Sequence, residues 1–173
     1  MDGLHRKSGI PAANIAELHG NTNVEICEEC HREYMRDHRV RTAQKTKEHR
    51  TGRTCESTGC NGHLKDTIIN FGEDLHPAVL ELGRANSECA DVCLAMGSSL
   101  RVSPANDMPK SCARNGGRLV ICNLQKTPID NLATLVIHAK CDDMMILLMK
   151  KLGYQIPKWQ IKKRLEVTLK DEG

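Results

Sequence analysis

The sequence predicts an α/β chain whose parallel sheet carries a small inserted module held by a metal. Three observations predict it. Four cysteines come as two pairs, Cys27-x2-Cys30 and Cys55-x4-Cys60, a spacing suited to a closed thiolate site. Downstream, short and nearly continuous apolar runs alternate with helical stretches, the pattern of βαβ units whose sheet is covered on both faces by helices. Three polar, glycine- or asparagine-containing triplets follow those runs, where an open parallel sheet binds its ligands.

Residues 1–21 read as loop, short helix and loop, with Pro11 at a helix start. Residues 22–66 read as a zinc module of short strands, interrupted by a polar excursion over 36–53 too poor in apolar residues to form a core alone. Thr67-Ile68-Ile69-Asn70-Phe71 is a candidate strand ending at Gly72, and residues 77–88 suit a helix. The run from Asp91 to Met96 stops at Gly97-Ser98-Ser99, and a helix follows near 105–115. Arg118 to Cys122 is a buried strand, Ala133 to His138 a further strand, and Asp142 to Leu152 a helix with Pro157 beyond it. Residues 158–173, rich in Lys and Glu, read as a tail or a loosely docked final helix.

With 173 residues the chain has room for one domain and a small insertion. Only 2% of it is aromatic (Tyr34, Phe71, Tyr154 and Trp159), so aliphatic residues must fill the interior. A net charge of +3 does not by itself imply a nucleic-acid partner. The charge is uneven, however: seven Lys/Arg lie between Arg36 and Arg53 against Asp37 and Glu48. That segment is either a solvated face or a patch for phosphates or an acidic partner. No stretch is apolar and long enough to span a membrane. Nine cysteines without a signal peptide point to reduced thiols and an intracellular location.

Four thiolates leave no open coordination position, so the zinc at Cys27, Cys30, Cys55 and Cys60 is structural and chemistry must come from beside it. His31 adjoins the second ligand without completing the pattern. Cys89, Cys93, Cys112 and Cys122 read as packed core thiols. The segment Glu17-Leu18-His19-Gly20-Asn21 precedes the first pair, and its histidine is either a surface residue or a base. Phe71-Gly72-Glu73, Gly97-Ser98-Ser99 and Asn123-Leu124-Gln125 should line one sheet edge, where small residues let backbone amides approach a phosphate or ribose.

These segments resemble the sirtuin (Sir2) family of NAD-dependent protein-lysine deacylases. The likeness extends through Asp2-Gly3-Leu4-His5, Glu17 to Asn21, the four cysteines and the three triplets, then Cys141-Asp142-Asp143 and Leu152 to Pro157, over about residues 1–160. It is strongest to the class IV branch of sirtuins 6 and 7, and Gln44 to Cys55 leans toward sirtuin 7. The resemblance implies a partial Rossmann-like parallel sheet (the DHS-like NAD/FAD-binding fold) with an inserted zinc ribbon. Residues 1–21 then form the catalytic loop and entry, 22–66 the zinc module, and 67–157 the C-terminal half of the NAD-binding domain. The family's Gly-Ala-Gly-Ile-Ser phosphate loop and Pro-Asp-Phe-Arg segment have no counterpart in this sequence, so an N-terminally truncated member is expected.

The resemblance also implies roles. The acetyl group of acetyl-lysine passes to ADP-ribose with release of nicotinamide, and His19 is the base that takes a proton from a ribose hydroxyl. Asp2 holds the nicotinamide carboxamide, Gly97, Ser98 and Ser99 approach the phosphates or ribose, Asn123 and Gln125 the adenosine ribose, and Cys141 the adenine. Ile69, Phe71, Gly72 and Glu73 on one side, with Leu100 and Val102 on the other, sandwich the substrate peptide. A histone-like acetylated lysine is the implied substrate and a nuclear, even nucleolar, residence the implied location, with chromatin or nucleic-acid contact through Arg36–Arg53. The competing expectation is a catalytically silent fragment, a zinc-bearing module that binds proteins or chromatin.

Overall fold

The computed structural model describes residues 1–158. The stretch read as a tail, with Trp159 and most of the basic cluster Lys158–Arg164, lies outside the described residues. Four strands, β1 (Val24–Cys27), β2 (Glu33–Met35), β3 (Arg50–Thr54) and β4 (His63–Asp66), form an antiparallel sheet in the order β2-β1-β4-β3. Alternation decides which side chains face inward. In β4, Leu64 and Asp66 are buried while His63 and Lys65 are exposed, as a two-residue period requires. The cluster inside is small: Cys27, Cys55 and Leu64, with Tyr34 and Cys60 against it.

A second sheet is parallel, with β5 (Val92–Met96), β6 (Arg118–Cys122) and β7 (Leu135–Ile137) in that order. Its central strand carries the core. Leu119 and Ile121 pack with Leu100 and Ile129, and Cys93, Ala95, Ala113 and Ala133 fill in around them. Helix α3 (Asp107–Arg114) lies on β5 and β6, and helix α2 (Pro77–Glu88) on α3. Pro77 opens α2, where its missing N–H costs nothing. Helix α4 (Cys141–Leu152) starts with Asp142 and Asp143 and ends with Lys150 and Lys151, signs that complement its dipole. Before the first sheet come a one-turn helix α1 (Leu4–Lys7), which the sequence did not signal, and a single 3₁₀ turn, Ala12–Asn14, after Pro11.

Four expectations are corrected. Thr67 to Phe71 is not a strand of the parallel sheet: its groups bond to the His19 loop instead, through Asn21 N–H to Thr67 Oγ1 at 3.1 Å and Ile69 N–H to the His19 carbonyl at 3.4 Å. The strand expected over Ala133–His138 is shorter, Leu135–Ile137. Helices do not seal both faces among the described residues, because no residue of α4 is buried and Ile146 and Leu147 are exposed. Cys89, expected in the core, is exposed at the end of α2, whereas Cys112 and Cys122 are fully buried.

Candidate functional site

Cys27 closes β1 and Cys55 follows β3, so the antiparallel pairing brings their hairpin ends together, each with a second cysteine on the adjoining turn. The four Sγ atoms lie within 4.8 Å of one another, with Cys27–Cys60 and Cys30–Cys55 both at 3.6 Å. A tetrahedral zinc with bonds of about 2.3 Å requires sulfur–sulfur edges of about 3.8 Å, so the donor set fits that ion. His31 is in the exposed turn and outside the cluster. The thiols divide electrostatically. The Tyr34 hydroxyl, 3.0 Å from its sulfur, pulls Cys55 down to about 6. The Gly62 amide favours the Cys60 thiolate, yet burial and the three neighbouring sulfurs push it up to about 12. All four sulfurs can be negative at this spacing only with a cation among them.

His19 sits half-buried on a loop whose geometry is forced. Gly20 adopts φ 69°, and a Cβ there would collide with the Thr67 carbonyl oxygen. Glu17 ties the same loop to α1, accepting from Arg6 at 2.7 Å and from Asn21 Nδ2 at 2.8 Å. The His19 ring thereby faces a cavity of about 140 Å³ lined by Asn70, Phe71, Gly72, Glu73 and Leu75 on one side and Val102 to Ala105 on the other. Phe71 is 84% exposed, its ring centroid 6.3 Å from that of His19. Of the residues expected along a peptide, Phe71, Gly72, Glu73 and Val102 line this cavity. Ile69 contributes through its backbone bond to His19, and Leu100 turns into the core instead, at 7% exposure.

A second, larger cavity of about 560 Å³ opens at the carboxyl ends of β5 and β6 and the start of α4. Gly97, Ser99, Asn123, Leu124, Gln125, Cys141 and Asp142 line it, joined by Ala139 and Lys140, which the sequence did not single out. Its volume suits a nucleotide-sized ligand. The left-handed Gly97 (φ 61°) ends β5, and a Cβ there would lie 3.7 Å from Cys141 Sγ, narrowing the floor. Asn123 Nδ2 donates to the Gln125 carbonyl at 2.8 Å and fixes the adjacent wall. Two expected members are elsewhere: Ser98 Oγ accepts from the Leu100 amide, and Asp2 Oδ1 from the Leu4 amide at the start of α1. The expectation that all three triplets share one edge is also corrected. Phe71-Gly72-Glu73 belongs to the His19 cavity because its segment is not a sheet strand.

The basic excursion is largely spent within the module. Arg36 and Arg53 bind the fully buried Glu25 at 2.8 and 2.7 Å, Arg41 binds Asp66 at 2.9 Å, and Arg50 binds Glu28 at 2.9 Å. Burial alone would raise the Glu25 carboxyl; Arg53, Arg36 and Thr51 outweigh it and hold it below its ordinary value.

Comparison with known proteins places these features in a family. The Sir2 family matches residues 1–104. The NAD-dependent protein deacetylase SRT1 of Arabidopsis thaliana is 40% identical over 157 residues, 91% of this chain and 33% of that protein. The NAD-dependent protein deacetylase sirtuin-7 of Homo sapiens is 43% identical over 171 residues, 92% of this chain and 42% of that protein. Among solved structures, a Sir2–p53 peptide–NAD⁺ complex superposes with a TM-score of 0.65 at 32% identity, over 87% of this chain and 60% of that one. The chain spans between a third and about half the length of the curated relatives it matches.

Proposed function

The chain belongs to the Sir2 family, and on that premise we propose that it serves NAD-dependent deacetylation of protein lysines. One observation carries the reading: a histidine locked by its neighbouring glycine faces a cleft between two loops, while a nucleotide-sized cavity opens at the strand ends of the same chain. The residues fit the cosubstrate, since small side chains at Gly97 and Ser99 leave room at the end of β5 and Asn123 and Gln125 present amides beside them. NAD, when bound, supplies an electrophilic ribose carbon and nicotinamide as the leaving group. The chain's own residues do the rest. Asn70 to Glu73 and Val102 to Ala105 hold the acyl-lysine between them, main-chain bonding giving affinity with loose sequence preference. His19 accepts a proton from a ribose hydroxyl, as a positioned imidazole can. The cysteine cluster takes no part in chemistry and holds the antiparallel sheet.

The relatives' names support a deacetylase, and the Sir2 complexes with acetylated or p53 peptides support a peptide substrate. A histone-like target and nuclear, nucleolar or chromatin residence form the finer part of the proposal, resting on likeness to the sirtuin-7 branch. The ion pairs of the Arg36–Arg53 segment weigh against its use as a nucleic-acid patch. The test is turnover of an acetyl-lysine peptide with NAD, reading nicotinamide release. Activity abolished in His19→Ala is the expected result; turnover retained by that variant refutes the role. Absence of both NAD binding and turnover in the parent chain would favour the silent zinc-bearing module.

A further inference from the structure

We propose that His49 is a positioning residue for the acyl-lysine cleft, a latch from the antiparallel module that holds the far end of the Asn70–Glu73 loop. The inference rests on the deacetylase reading for its functional consequence but not for its geometry. The loop has two anchors. Near its start, Thr67 and Ile69 bond to the His19 loop. At its other end is Glu73, whose carboxylate accepts from the Asn70 amide at 2.7 Å, from Asn70 Nδ2, and from two donors of the excursion: the Lys47 amide at 2.8 Å and His49 Nε2 at 3.2 Å. This convergence, led by the Asn70 backbone donor, holds the Glu73 carboxyl down to about 2, so it is an acceptor only. His49 Nε2 must therefore carry the proton.

The opposite nitrogen shows why this imidazole is held so firmly. His49 Nδ1 lies 3.1 Å from Oδ1 of the fully buried Asp66 and 3.2 Å from Arg41 Nη1. A protonated Nδ1 donates to Asp66, and an unprotonated one accepts from Arg41. Either state keeps Nε2–H directed at Glu73. Arg41 also binds Asp66 Oδ2, and Asp66 N–H donates to the His49 carbonyl at 2.8 Å, so the ring is fixed from backbone and side chain together. The chain of contacts Arg41–Asp66–His49–Glu73 runs from the inner face of β4 to the wall of the His19 cavity. His19 has its own restraint at Gly20 and Thr67, so losing the latch frees the peptide-holding wall and leaves the base in place.

The test compares His49→Ala and His49→Gln with the parent chain. In His49→Ala, KM for an acetyl-lysine peptide should rise roughly tenfold, the loss expected for one hydrogen bond to a charged group. kcat should stay within about twofold and zinc content unchanged. His49→Gln, which keeps an N–H donor, should recover much of the loss. Independently of turnover, hydrogen exchange at the Asn70 and Glu73 amides should quicken by a similar factor in His49→Ala while the Cys27–Cys30 turn is unaffected. Unchanged exchange at those amides overturns the latch whether or not the chain is active. A fall in kcat with KM unchanged overturns the positioning role. Failure of all variants and the parent to turn over, with the exchange difference present, leaves the latch standing and counts against the deacetylase reading. Should His49→Ala lose its zinc, Glu73→Gln supplies the same exchange comparison from the other partner, and no quickening there overturns the proposal.

Discussion

The antiparallel sheet around the cysteines buries Glu25, Asp66 and Thr51 alongside Leu64 and two cysteines, whereas the core of the parallel sheet is Leu100, Leu119, Ile121 and Ile129. The first region buries few aliphatic side chains, Leu64 with Val24 and Val40, and adds a thiolate cage and arginine–carboxylate pairs. The second needs neither. A short polar segment can thus be held in one geometry by directional bonds, while a sheet of similar size relies on area removed from water. The difference also bears on function. The directional region can reach out and grip a loop, as the pairs around His49 and Glu73 do, and the apolar region offers a stiff edge beside the larger cavity.

Removing the metal should break the comparison most severely. Structural zinc in small modules contributes on the order of 10–16 kcal/mol, so a chelator or Cys27→Ser should unfold residues 24–66. Hydrogen exchange would then show β1–β4 unprotected and β5–β7 still protected; equal loss in both would contradict the division. Next is Glu25→Ala, which strands Arg36 and Arg53. A loss of about 3–5 kcal/mol is expected in denaturant unfolding of the antiparallel region, and a neutral result would mean the ion pairs are ornament there. Leu119→Ala should cost about 2–5 kcal/mol in the parallel sheet without changing zinc content, which metal analysis can check.

Acid sharpens the contrast on a smaller scale. The Glu73 carboxyl is held at about 2 against an ordinary 4.5. Its contribution is therefore complete above pH 4.5 and lost as pH falls through 2. The Lys47 and Asn70 amide resonances should report that titration, and a midpoint near 4.5 would refute it. The smallest effect belongs to Arg50→Ala, since the exposed Arg50–Glu28 pair should be worth less than about 1 kcal/mol.

The cysteine spacing led to one cluster because four soft ligands on two hairpin turns have few ways to meet. Helix α2, strands β5 and β6 and helix α3 were legible locally, the strands as apolar runs stopped by Gly97-Ser98-Ser99 and by Asn123. Thr67 to Phe71 misled because an apolar run reads alike whether it joins a sheet or packs beside a loop, and only its partner, the His19 loop, distinguishes them. His49 gave no signal at all, being one histidine in a basic stretch. The same holds for Ala139 and Lys140, which reach the larger cavity only because α4 begins there.

What the sequence alone determined is the chemistry available: a thiolate site for zinc, an imidazole set in Glu17–Asn21, and strands ending in small polar residues. These follow from residue type and short-range spacing, which the chain carries wherever it folds. Tertiary structure decided the division of labour among them. It drew Phe71-Gly72-Glu73 to His19 rather than to the strand-end cavity, turned Leu100 inward, and consumed four arginines in carboxylates of their own module. Such outcomes depend on which distant groups satisfy a buried charge or a free backbone amide, and that competition is settled only when the whole chain has packed.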